Sequence, residues 1–451
     1  MSVHTIVLAA GEGSRMKSNR AKSLQRIGGT SMLHKICSTA GKISPKITLV
    51  VGFDKDSVIK EVDEYGLEIS IAEQPKAIGT GDAVKCGISK IRTESTVLVL
   101  YGDVPLIQEK TLRKLIEASN NNLSILTTVL DNPYGYGRVK KDNDGNALSI
   151  VEEKDATDKE REINEVFTGV LCGPQSLLIE SLSKINNNNA AREYYLTDLI
   201  SIINEKGYKI KTCVASNNEV KGANNKTELA ELEALYRKMK AEDIMNQGVT
   251  VSDPKRLDVR GDVSAGNDCT IDVNVILEGN ISLGDNVFIG PNTVLKNATI
   301  GDNTKIEAFS HIDGAAIGSD CVIGPYARLR EGSRIENSAK VGNFVETKNS
   351  TLGEGSKANH FTYLGDTEVG KSSNIGAGTI TCNYDGIRKS KTKIQDNVFI
   401  GSNSSLVAPL TIEERSVVGA GSVITKNVRK KSLALTRSLQ TEIKNYKRKK
   451  K

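Results

Sequence analysis

Short apolar runs alternate with helix-like segments from the start of the chain to about residue 222. The runs ITLVVG (47–52) and TVLVLYGD (96–103) are typical, and KTLRKLIEAS (110–119) is one of the helix-like segments. Strands that alternate with helices in this way form mainly parallel sheets. We therefore predict an α/β domain over residues 1–222.

A longer helix is predicted next, within residues 223–248, as a link between two domains. Asn225 stands three residues before Glu228, as in a capping box. Apolar residues follow at helical spacing, and they are Leu229, Leu232, Tyr236 and Met239.

The pattern changes beyond residue 249, where an aliphatic residue recurs at every sixth position and is commonly followed by glycine, as in LGDNVF and IGSDCV. A hexapeptide repeat predicts a parallel β-helix in which each six-residue face turns one aliphatic side chain inward. We expect this coil to span residues 249–437. The repeated positions are Leu277, Leu283, Ile289, Leu295, Ile317, Ile323, Leu329, Ile335 and Val341, and then Ile394, Ile400, Leu406, Ile412, Val418 and Ile424.

The repeat is interrupted between Ile375 and Ile394, which predicts that CNYDGIRKSKT (382–392) is a loop leaving the coil. Such loops tend to carry function. A solenoid also buries its core only along its axis, so its sides are free to pack against other copies of the chain.

The formal net charge of +6 comes from the end of the chain. The last eight residues, KNYKRKKK, hold six Lys or Arg and no acid, and the rest of the chain balances 55 basic with 55 acidic residues. The tail, residues 438–451, is therefore expected to be a solvated end, and the neutral body gives no support for a nucleic-acid partner.

The seven cysteines lie far apart without metal-ligand spacing, which favours free thiols in a reducing compartment. No apolar run approaches the roughly 20 residues of a membrane span. We expect a cytoplasmic protein without stable membrane insertion.

A glycine-rich turn, LAAGEGSRM (8–16), includes the end of the first apolar run. It lacks the third glycine of GxGxxG, so a dinucleotide fold is poorly supported. Its backbone amides can face an anion that Arg15 and Lys22 neutralise. Taken alone, an ordinary strand-to-helix turn explains the segment equally well.

Asp103 comes directly after a second apolar strand, where open α/β sheets bind their ligands. A carboxylate at this place suits Mg²⁺, although an aspartate in a YGD turn can instead cap the next segment. The run IGTGDA (78–83) adds a second glycine-rich turn.

His360 is one of four histidines and lies in the coil region, upstream of the predicted loop. A lone histidine is more often structural than catalytic. However, an amine must lose a proton before it attacks a thioester, and imidazole, with an unperturbed pKa of about 6.5, can accept that proton near neutral pH.

Together LAAGEGSRM, AKSL, IGTGDA, YGDVPL, GYGRV, VEEKDAT, EYYLTD and GANN resemble the pyrophosphorylase domain of bacterial N-acetylglucosamine-1-phosphate uridyltransferases. With the hexapeptide half, nearly the whole chain is similar to the bifunctional uridyltransferase and glucosamine-1-phosphate acetyltransferase family. The resemblance implies a Rossmann-like nucleotidyltransferase domain, a left-handed parallel β-helix and a homotrimer. It also implies an enzyme of UDP-N-acetylglucosamine biosynthesis with small-molecule substrates.

The first implied reaction is attack of a sugar 1-phosphate on the α-phosphate of UTP, with pyrophosphate leaving. By resemblance, Arg15 and Lys22 neutralise the triphosphate, and Asp103 and Asn224 hold Mg²⁺. The residues implied to bind UTP or the sugar nucleotide are Leu8, Ala9, Ala10, Gly11, Lys22, Gly79, Thr80, Tyr101, Gly102, Asp103, Gly137, Glu152, Phe167 and Asn224.

Four features depart from the family pattern. Ala21 replaces a proline before Lys22, three residues (PKA, 75–77) are additional, and Ile71 stands where a glutamine usually contacts uracil. Phe167 stands where an asparagine lies beside the sugar. Because phenylalanine cannot offer a side-chain hydrogen bond, we expect an altered sugar preference.

The second implied reaction is transfer of an acetyl group from acetyl-CoA to glucosamine 1-phosphate, with His360 as general base. The resemblance assigns the sugar phosphate to Arg330, Lys348, Tyr363 and Asn374. It assigns acetyl-CoA, in part through a neighbouring subunit, to Ala377, Asn383, Tyr384, Ser402, Ala420 and Arg437.

Three alternatives stay open at this point. The chain could be a pyrophosphorylase with a purely structural β-helix, or an acetyltransferase whose first domain has degenerated. The third alternative is a noncatalytic trimeric scaffold. The joint presence of Arg15, Lys22, Asp103, Asn224 and His360 favours the two-site enzyme.

Overall fold

Residues 2–448 are described by a computed structural model, and they fall into two units, the first ending at Tyr236 and the second beginning at Arg237. Met1 and residues 449–451, which close the predicted basic tail, lie outside the described residues.

The first unit is built on a sheet with the strand order β11-β7-β10-β6-β1-β4-β5, and β8 and β9 join it through β10. β1 runs parallel to β4 and β6, whereas β10 is antiparallel to β6 and β7. The mainly parallel α/β sheet predicted from the sequence is therefore confirmed. The strands are β1 Val3–Ala9, β2 Arg26–Ile27, β3 Thr30–Ser31, β4 Ile47–Val51, β5 Ile69–Glu73, β6 Thr96–Tyr101, β7 Ser124–Val129, β8 Arg138–Lys141, β9 Ala147–Val151, β10 Glu165–Pro174 and β11 Lys211–Val214.

Helices cover both faces of this sheet, because β1, β4 and β6 bury side chains on each side in two separate apolar clusters. The helices are α1 Met32–Ile43, α2 Lys55–Val62, α3 Thr80–Ile88, α4 Glu109–Ser119, α5 Asp158–Arg161, α6 Gln175–Leu182, α7 Asp198–Glu205, α8 Asn217–Val220 and α9 Lys226–Asn246, with 3-10 turns at Ser14–Met16, Lys22–Leu24, Asp63–Tyr65 and Pro254–Arg256. None of the helices in residues 2–448 combines the length and apolar character that a membrane crossing needs.

Helix α9 begins with the predicted cap. The Asn225 Oδ1 accepts from the Glu228 backbone N–H (2.9 Å), and the Asn225 Nδ2 donates to the Glu228 carboxylate (2.6 Å). Its early residues Leu232 and Tyr236 are buried in the first unit, and Ala241 and Ile244 belong to the core of the second. The domain boundaries at 222 and 248 remain predictions, and this helix lies between them.

The second unit is a β-helix in which neighbouring coils pair in parallel. Ile276 is in register with Val294, and Val294 with His311, so one turn takes 18 or 17 residues, or about three hexapeptides. The inward aliphatic residues are buried in one continuous cluster, which confirms the hexapeptide prediction. The strands are Thr250–Val251, Asp258–Ala265, Thr270–Ile271, Ile276–Leu283, Phe288–Ile289, Val294–Ile300, Lys305–Ile306, His311–Asp313, Ala316–Ile317, Val322–Ile323, Arg328–Leu329, Arg334–Ile335, Lys340–Lys348, Thr351–Leu352, Lys357–Gly365, Thr367–Val369, Asn374–Ile375, Ile380–Cys382, Thr392–Ile394, Phe399–Ile400, Ser405–Val407, Leu410–Ile412, Val417–Val418, Val423–Ile424 and Leu433–Ala434.

The interruption of the repeat has a clear structural cause. Thr381 takes the inward position six residues after Ile375 and is 1% exposed, so the coil continues with a polar side chain. Its hydroxyl accepts from the Gly365 N–H (2.8 Å). The chain then leaves the coil, and an antiparallel bridge joins Tyr384 to Lys389.

Candidate active sites

A cavity of about 340 Å³ opens at the carboxyl ends of β1 and β6. Leu8 is in register with Tyr101, so the turns that follow these two parallel strands lie side by side. Many of the residues predicted to bind nucleotide line this cavity. They are Leu8, Ala9, Ala10, Gly11, Arg15, Lys22, Gly79, Thr80, Tyr101, Asp103 and Asn224.

The Lys22 ammonium is the centre of the polar contacts in this cavity. It forms an ion pair with the Asp103 carboxylate and donates to the Asn224 Oδ1 at 2.7 Å. Arg15 donates to the same Asn224 oxygen at 3.2 Å. Two cationic side chains, a carboxylate and an amide that are far apart in sequence therefore meet at one place.

Asp103 and Asn224 form a donor set that fits Mg²⁺. One carboxylate and one amide oxygen converge on the same ammonium, so their oxygens already face a single cation. Magnesium usually takes one or two protein oxygens and completes its shell with phosphate and water. Among residues 2–448 there is no cluster of three or more His, Cys, Asp or Glu side chains that could hold a metal ion.

Ala21 anchors the loop that carries Lys22. Its backbone N–H donates to the Asp54 Oδ2 at 3.0 Å, a contact that the proline of the family could not make. Ala21 has φ −50° and ψ 142°, which a proline also adopts. Alanine at this position therefore permits a hydrogen bond to a carboxylate that a proline would exclude.

We expect Ala21→Pro to lower the free energy of unfolding by about 1 kcal/mol. Loss of a hydrogen bond to a charged group destabilises the fold by about 1.5–3 kcal/mol. Proline lowers the conformational entropy of the unfolded chain, which offsets about 0.4–1 kcal/mol of this loss. Thermal unfolding of the full chain measures the change. In an Asp54→Asn background the proline effect should shrink, because the lost acceptor is neutral. Equal effects in both backgrounds would refute the anchoring role.

The amino-terminal end of α3 forms another wall. The segment around Tyr194 holds it in place, since the Tyr194 carbonyl accepts from the Gly81 N–H (2.8 Å). Gly79 has φ +130°, and a Cβ there would lie 2.4 Å from the Tyr194 carbonyl oxygen, so only glycine fits. Burial raises the pKa of the nearby Tyr101, so its phenol stays protonated.

Four residues that were predicted to bind the nucleotide or sugar nucleotide do not line this cavity: Gly102, Gly137, Glu152 and Phe167. Gly102 supports the site, because its N–H donates to the Leu8 carbonyl (2.9 Å). Gly137 lies beside Glu152, whose pKa is raised by burial. Phe167 is 6% exposed and packs in the apolar cluster that also contains Ile150.

The cavity also contains residues that the sequence analysis did not select, namely Gly13, Ser23, Gln74, Ala77, Ala83 and Glu193. Ile71 packs against one of the two apolar clusters of the first unit and does not line the cavity. Gln74 does line it, and the Gln74 Nε2 donates to the Asp82 carboxylate (2.9 Å). No pattern in the local sequence marks Gln74, whose place in the cavity follows from the fold. Ala77 shows that the PKA insertion reaches the same cavity.

His360 occupies one corner of the coil, in register with Asn343 on the preceding turn. Ala377 follows at that corner on the next turn, where the Phe361 carbonyl accepts from the Gly378 N–H (2.9 Å). The register of the following strands places Ser402 and Ala420 on the next two turns. His360 therefore stands at the head of a column of small predicted acetyl-CoA residues, and Arg437 lies beside Gly421 at its far end.

The hydrogen bond to Asn343 fixes the tautomer of His360. The Nδ1 lies 2.9 Å from the Asn343 Oδ1, and an amide oxygen can only accept. The proton of a neutral imidazole is therefore on Nδ1, and the exposed ring presents an unprotonated Nε2.

Three cationic side chains gather near the next corner. Arg330 and Lys348 lie on adjacent turns, and Lys389 reaches Lys348 from the extruded loop. The positive charges of Lys389 and then Arg330 lower the pKa of Lys348. Lys389 was not selected from the sequence, since only the fold of the loop brings it here. Arg330 also pairs with the Glu346 carboxylate at 2.9 Å, so the repulsion between Lys348 and Lys389 is the part of this arrangement that favours a bound anion.

Hydrogen bonds and lysine charges order the base of the extruded loop around Asp366. The Asn383 Nδ2 donates to the Asp366 carboxylate at 2.6 Å. Burial alone would raise the pKa of Asp366, but hydrogen bonds from Asn349 and Asn383, with the Lys389 and Lys348 charges, lower it below its ordinary value. Tyr384 is 59% exposed on this loop.

The predicted sugar residues are divided between two places. The Tyr363 hydroxyl lies beside Gly365, and Gly365 is in register with Lys348. Tyr363 is therefore close to the three cationic side chains. Asn374 is in register instead with Lys357 and Phe399.

An exposed aromatic ladder runs along the coil beside His360; its members are Phe309, Tyr326, Phe344 and Phe361. Phe309 stacks on Tyr326 with ring centroids 4.9 Å apart, and Tyr326 stacks on Phe344 at 5.3 Å. All four have positive φ, between 45° and 60°, as do Asn292 and Asn403 at the same corner of other turns, so this backbone conformation belongs to the coil.

Comparisons with known families match both units. The MobA-like NTP transferase domain matches residues 5–140, the GMPPB C-terminal domain matches residues 259–335, and six bacterial transferase hexapeptide repeats match residues 391–426.

Full-length relatives show the same pairing of domains. Proteins named bifunctional protein GlmU from Marinobacter nauticus and Acinetobacter baumannii are 45% and 48% identical to this chain, and the alignments cover 100% and 99% of it and 99% of each relative. The protein of that name from Cellvibrio japonicus is 45% identical over 98% of both chains. The chain therefore belongs to the bifunctional GlmU family, as its motifs predicted.

Proposed function

We propose that the cavity of the first unit and the His360 corner of the second are the two active sites of an enzyme that makes UDP-N-acetylglucosamine. The second unit transfers an acetyl group from acetyl-CoA to glucosamine 1-phosphate. The first unit transfers a uridylyl group from UTP to the acetylated sugar phosphate. The meeting of Arg15, Lys22, Asp103 and Asn224 at one strand edge carries the first assignment.

In the first site, charge neutralisation is the main task of the protein. The sugar phosphate is already ionised, and negative charge builds on pyrophosphate as it leaves. Lys22 and Arg15 are placed to bind the triphosphate and to stabilise this charge, because both donate to the side-chain amide oxygen of Asn224 in the cavity.

Asp103 and Asn224 would hold Mg²⁺ in this site, with Lys22 moving from their oxygens to the phosphates. Magnesium supplies further neutralisation of the phosphate oxygens when it is bound. The lining of the cavity supports this proposal, since all three side chains face the same space.

In the second site, His360 acts as the general base. Its Nε2 lone pair accepts a proton from the sugar amine, and Asn343 stabilises the resulting imidazolium through Nδ1. The amine nitrogen forms a bond to the acetyl carbon, the carbon–sulfur bond breaks, and the His360 imidazolium returns the proton to the leaving sulfur, so that coenzyme A departs as the thiol. Arg330, Lys348 and Lys389 would bind the sugar phosphate.

Acetyl-CoA is placed along the column of small residues that begins at Ala377. Small side chains at Ala377, Ser402 and Ala420 leave an open edge that leads toward His360. Arg437 at the far end of the column can contact the phosphates of the coenzyme. Both co-substrates, and the seven unpaired cysteines, fit a cytoplasmic enzyme.

A homotrimer would complete the second site. His360 is exposed on a single chain, whereas acyl transfer benefits from exclusion of water. The aromatic ladder adjoins this corner, since Phe344 follows Asn343 and Phe361 follows His360. Four exposed aromatic side chains in one row favour burial against another copy of the chain.

The double substitution Tyr326→Ser and Phe344→Ser is expected to reduce the assembly from three chains to one. Light scattering measures the mass, and acetyl transfer should fall with it because the partner no longer covers His360. Uridylyl transfer should persist. Tyr208→Ser, which removes an exposed tyrosine of the first unit, is the matched control. A monomeric wild type, or a trimeric double variant with full acetyl transfer, would disprove the proposal.

The whole proposal is tested by assaying the two half reactions separately. Thiol release from acetyl-CoA with glucosamine 1-phosphate reports the second site. Pyrophosphate release from UTP with N-acetylglucosamine 1-phosphate reports the first. An enzyme with only one of these activities would support a degenerate first domain or a purely structural coil instead.

A further inference from the structure

Ser23 carries a hydroxyl that the described structure leaves without a partner. The side chain is 4% exposed, and its Oγ has no hydrogen-bond partner within residues 2–448. Burying a hydroxyl without a partner costs stability, and such groups in a folded protein call for an explanation. An alanine has no hydroxyl to leave unpaired and so avoids this cost.

The position of Ser23 suggests what the hydroxyl is for. The residue follows Lys22 in the 3-10 turn Lys22–Leu24 and lines the same cavity as Arg15 and Asp103. Its Cβ lies 3.3 Å from where a Cβ on Gly102 would be, so it packs against the turn that presents Asp103. Ser23 therefore sits where cationic side chains gather for an anionic ligand.

We propose that Ser23 is a further substrate-binding residue, whose hydroxyl donates to an anionic oxygen of the nucleoside triphosphate. Phosphate oxygens only accept hydrogen bonds, so a hydroxyl beside Lys22 is a suitable partner. Rotation about χ1 offers the serine Oγ three staggered positions, so the hydroxyl can change its direction without movement of the backbone. This inference rests on the proposed placement of UTP in the cavity.

The inference predicts opposite effects of Ser23→Ala on thermal stability and on kcat/KM for UTP. Without ligand, the hydroxyl is a cost, so Ser23→Ala should unfold at the same temperature as the wild type or a higher one. With ligand, the hydroxyl forms a hydrogen bond, so the variant should lose about tenfold in kcat/KM for UTP. The KM for the sugar phosphate and the acetyl transfer rate should stay within twofold of the wild type.

Thr5 provides a matched control. Its Oγ1 is also buried without a partner among the described residues, but Thr5 lies within β1 and outside the lining of the cavity. Thr5→Val should keep or raise the unfolding temperature, as Ser23→Ala does, with no change in kcat/KM for UTP.

Two results would overturn the inference. One is a kcat/KM for UTP within twofold of the wild type in Ser23→Ala. The other is a lower unfolding temperature with a parallel loss of both activities, which would show a structural role. Asp103→Ala tests the placement of UTP separately from the role of Ser23. If that variant keeps full uridylyl transfer, UTP does not bind in this cavity as proposed.

Discussion

His360→Ala is expected to lower acetyl transfer by about 10²- to 10⁴-fold while uridylyl transfer is unchanged. The substitution removes the imidazole that we propose as acceptor of the amine proton, and a positioned general base accounts for a factor of this size. Asn343 and the coil backbone remain, because His360 is exposed and its loss creates no buried cavity. Thiol release from acetyl-CoA measures the effect.

His311→Ala is the comparison for this experiment, since His311 is also exposed on the coil and belongs to an earlier turn. We expect it to keep both activities. If His360→Ala retained more than a tenth of the wild-type acetyl transfer with the coil intact, another base would have to perform the step.

Asp103→Ala is expected to lower uridylyl transfer by about a hundredfold or more and to leave acetyl transfer unchanged. The substitution removes the carboxylate that pairs with Lys22 and that would hold the metal, so the leaving pyrophosphate loses part of its neutralisation. Pyrophosphate release from UTP measures the loss.

Asp158→Ala serves as the control for Asp103→Ala, because its carboxylate is fully exposed on α5 outside the cavity. A loss of acetyl transfer in Asp103→Ala, with the coil still folded, would contradict the assignment of the two reactions to separate sites. Full uridylyl transfer in that variant would remove Asp103 from the first site.

Much of the fold could be read from periodicity. The six-residue repeat specifies the coil because each buried aliphatic residue has the same environment, and ITLVVG and TVLVLYGD correspond to β4 and β6. The antiparallel β10 could not be read in this way, since strand direction depends on pairing between distant segments. The position of Thr381 was also hidden, because a polar residue in the core breaks the pattern that reveals the core.

The candidate sites divide along similar lines. Residues in glycine-rich turns at strand ends were found, since the local sequence already marks such turns. Lys389, Gln74 and Ser23 were missed because their roles depend on contacts that no local pattern records. The hydrogen bond from Ala21 to Asp54 is of the same kind, since the sequence shows only that a proline is absent.

The stacked coils also set the order in which the second unit can come apart. Each interior turn is bonded to a turn on either side, whereas a terminal turn has a neighbour on one side only and is held less firmly. The early end is covered by Ala241 and Ile244 of α9, whereas Leu433 is 61% exposed at the late end. We therefore expect fraying to begin at the late end and to reach the interior turn that bears His360 only after the turns between them have separated.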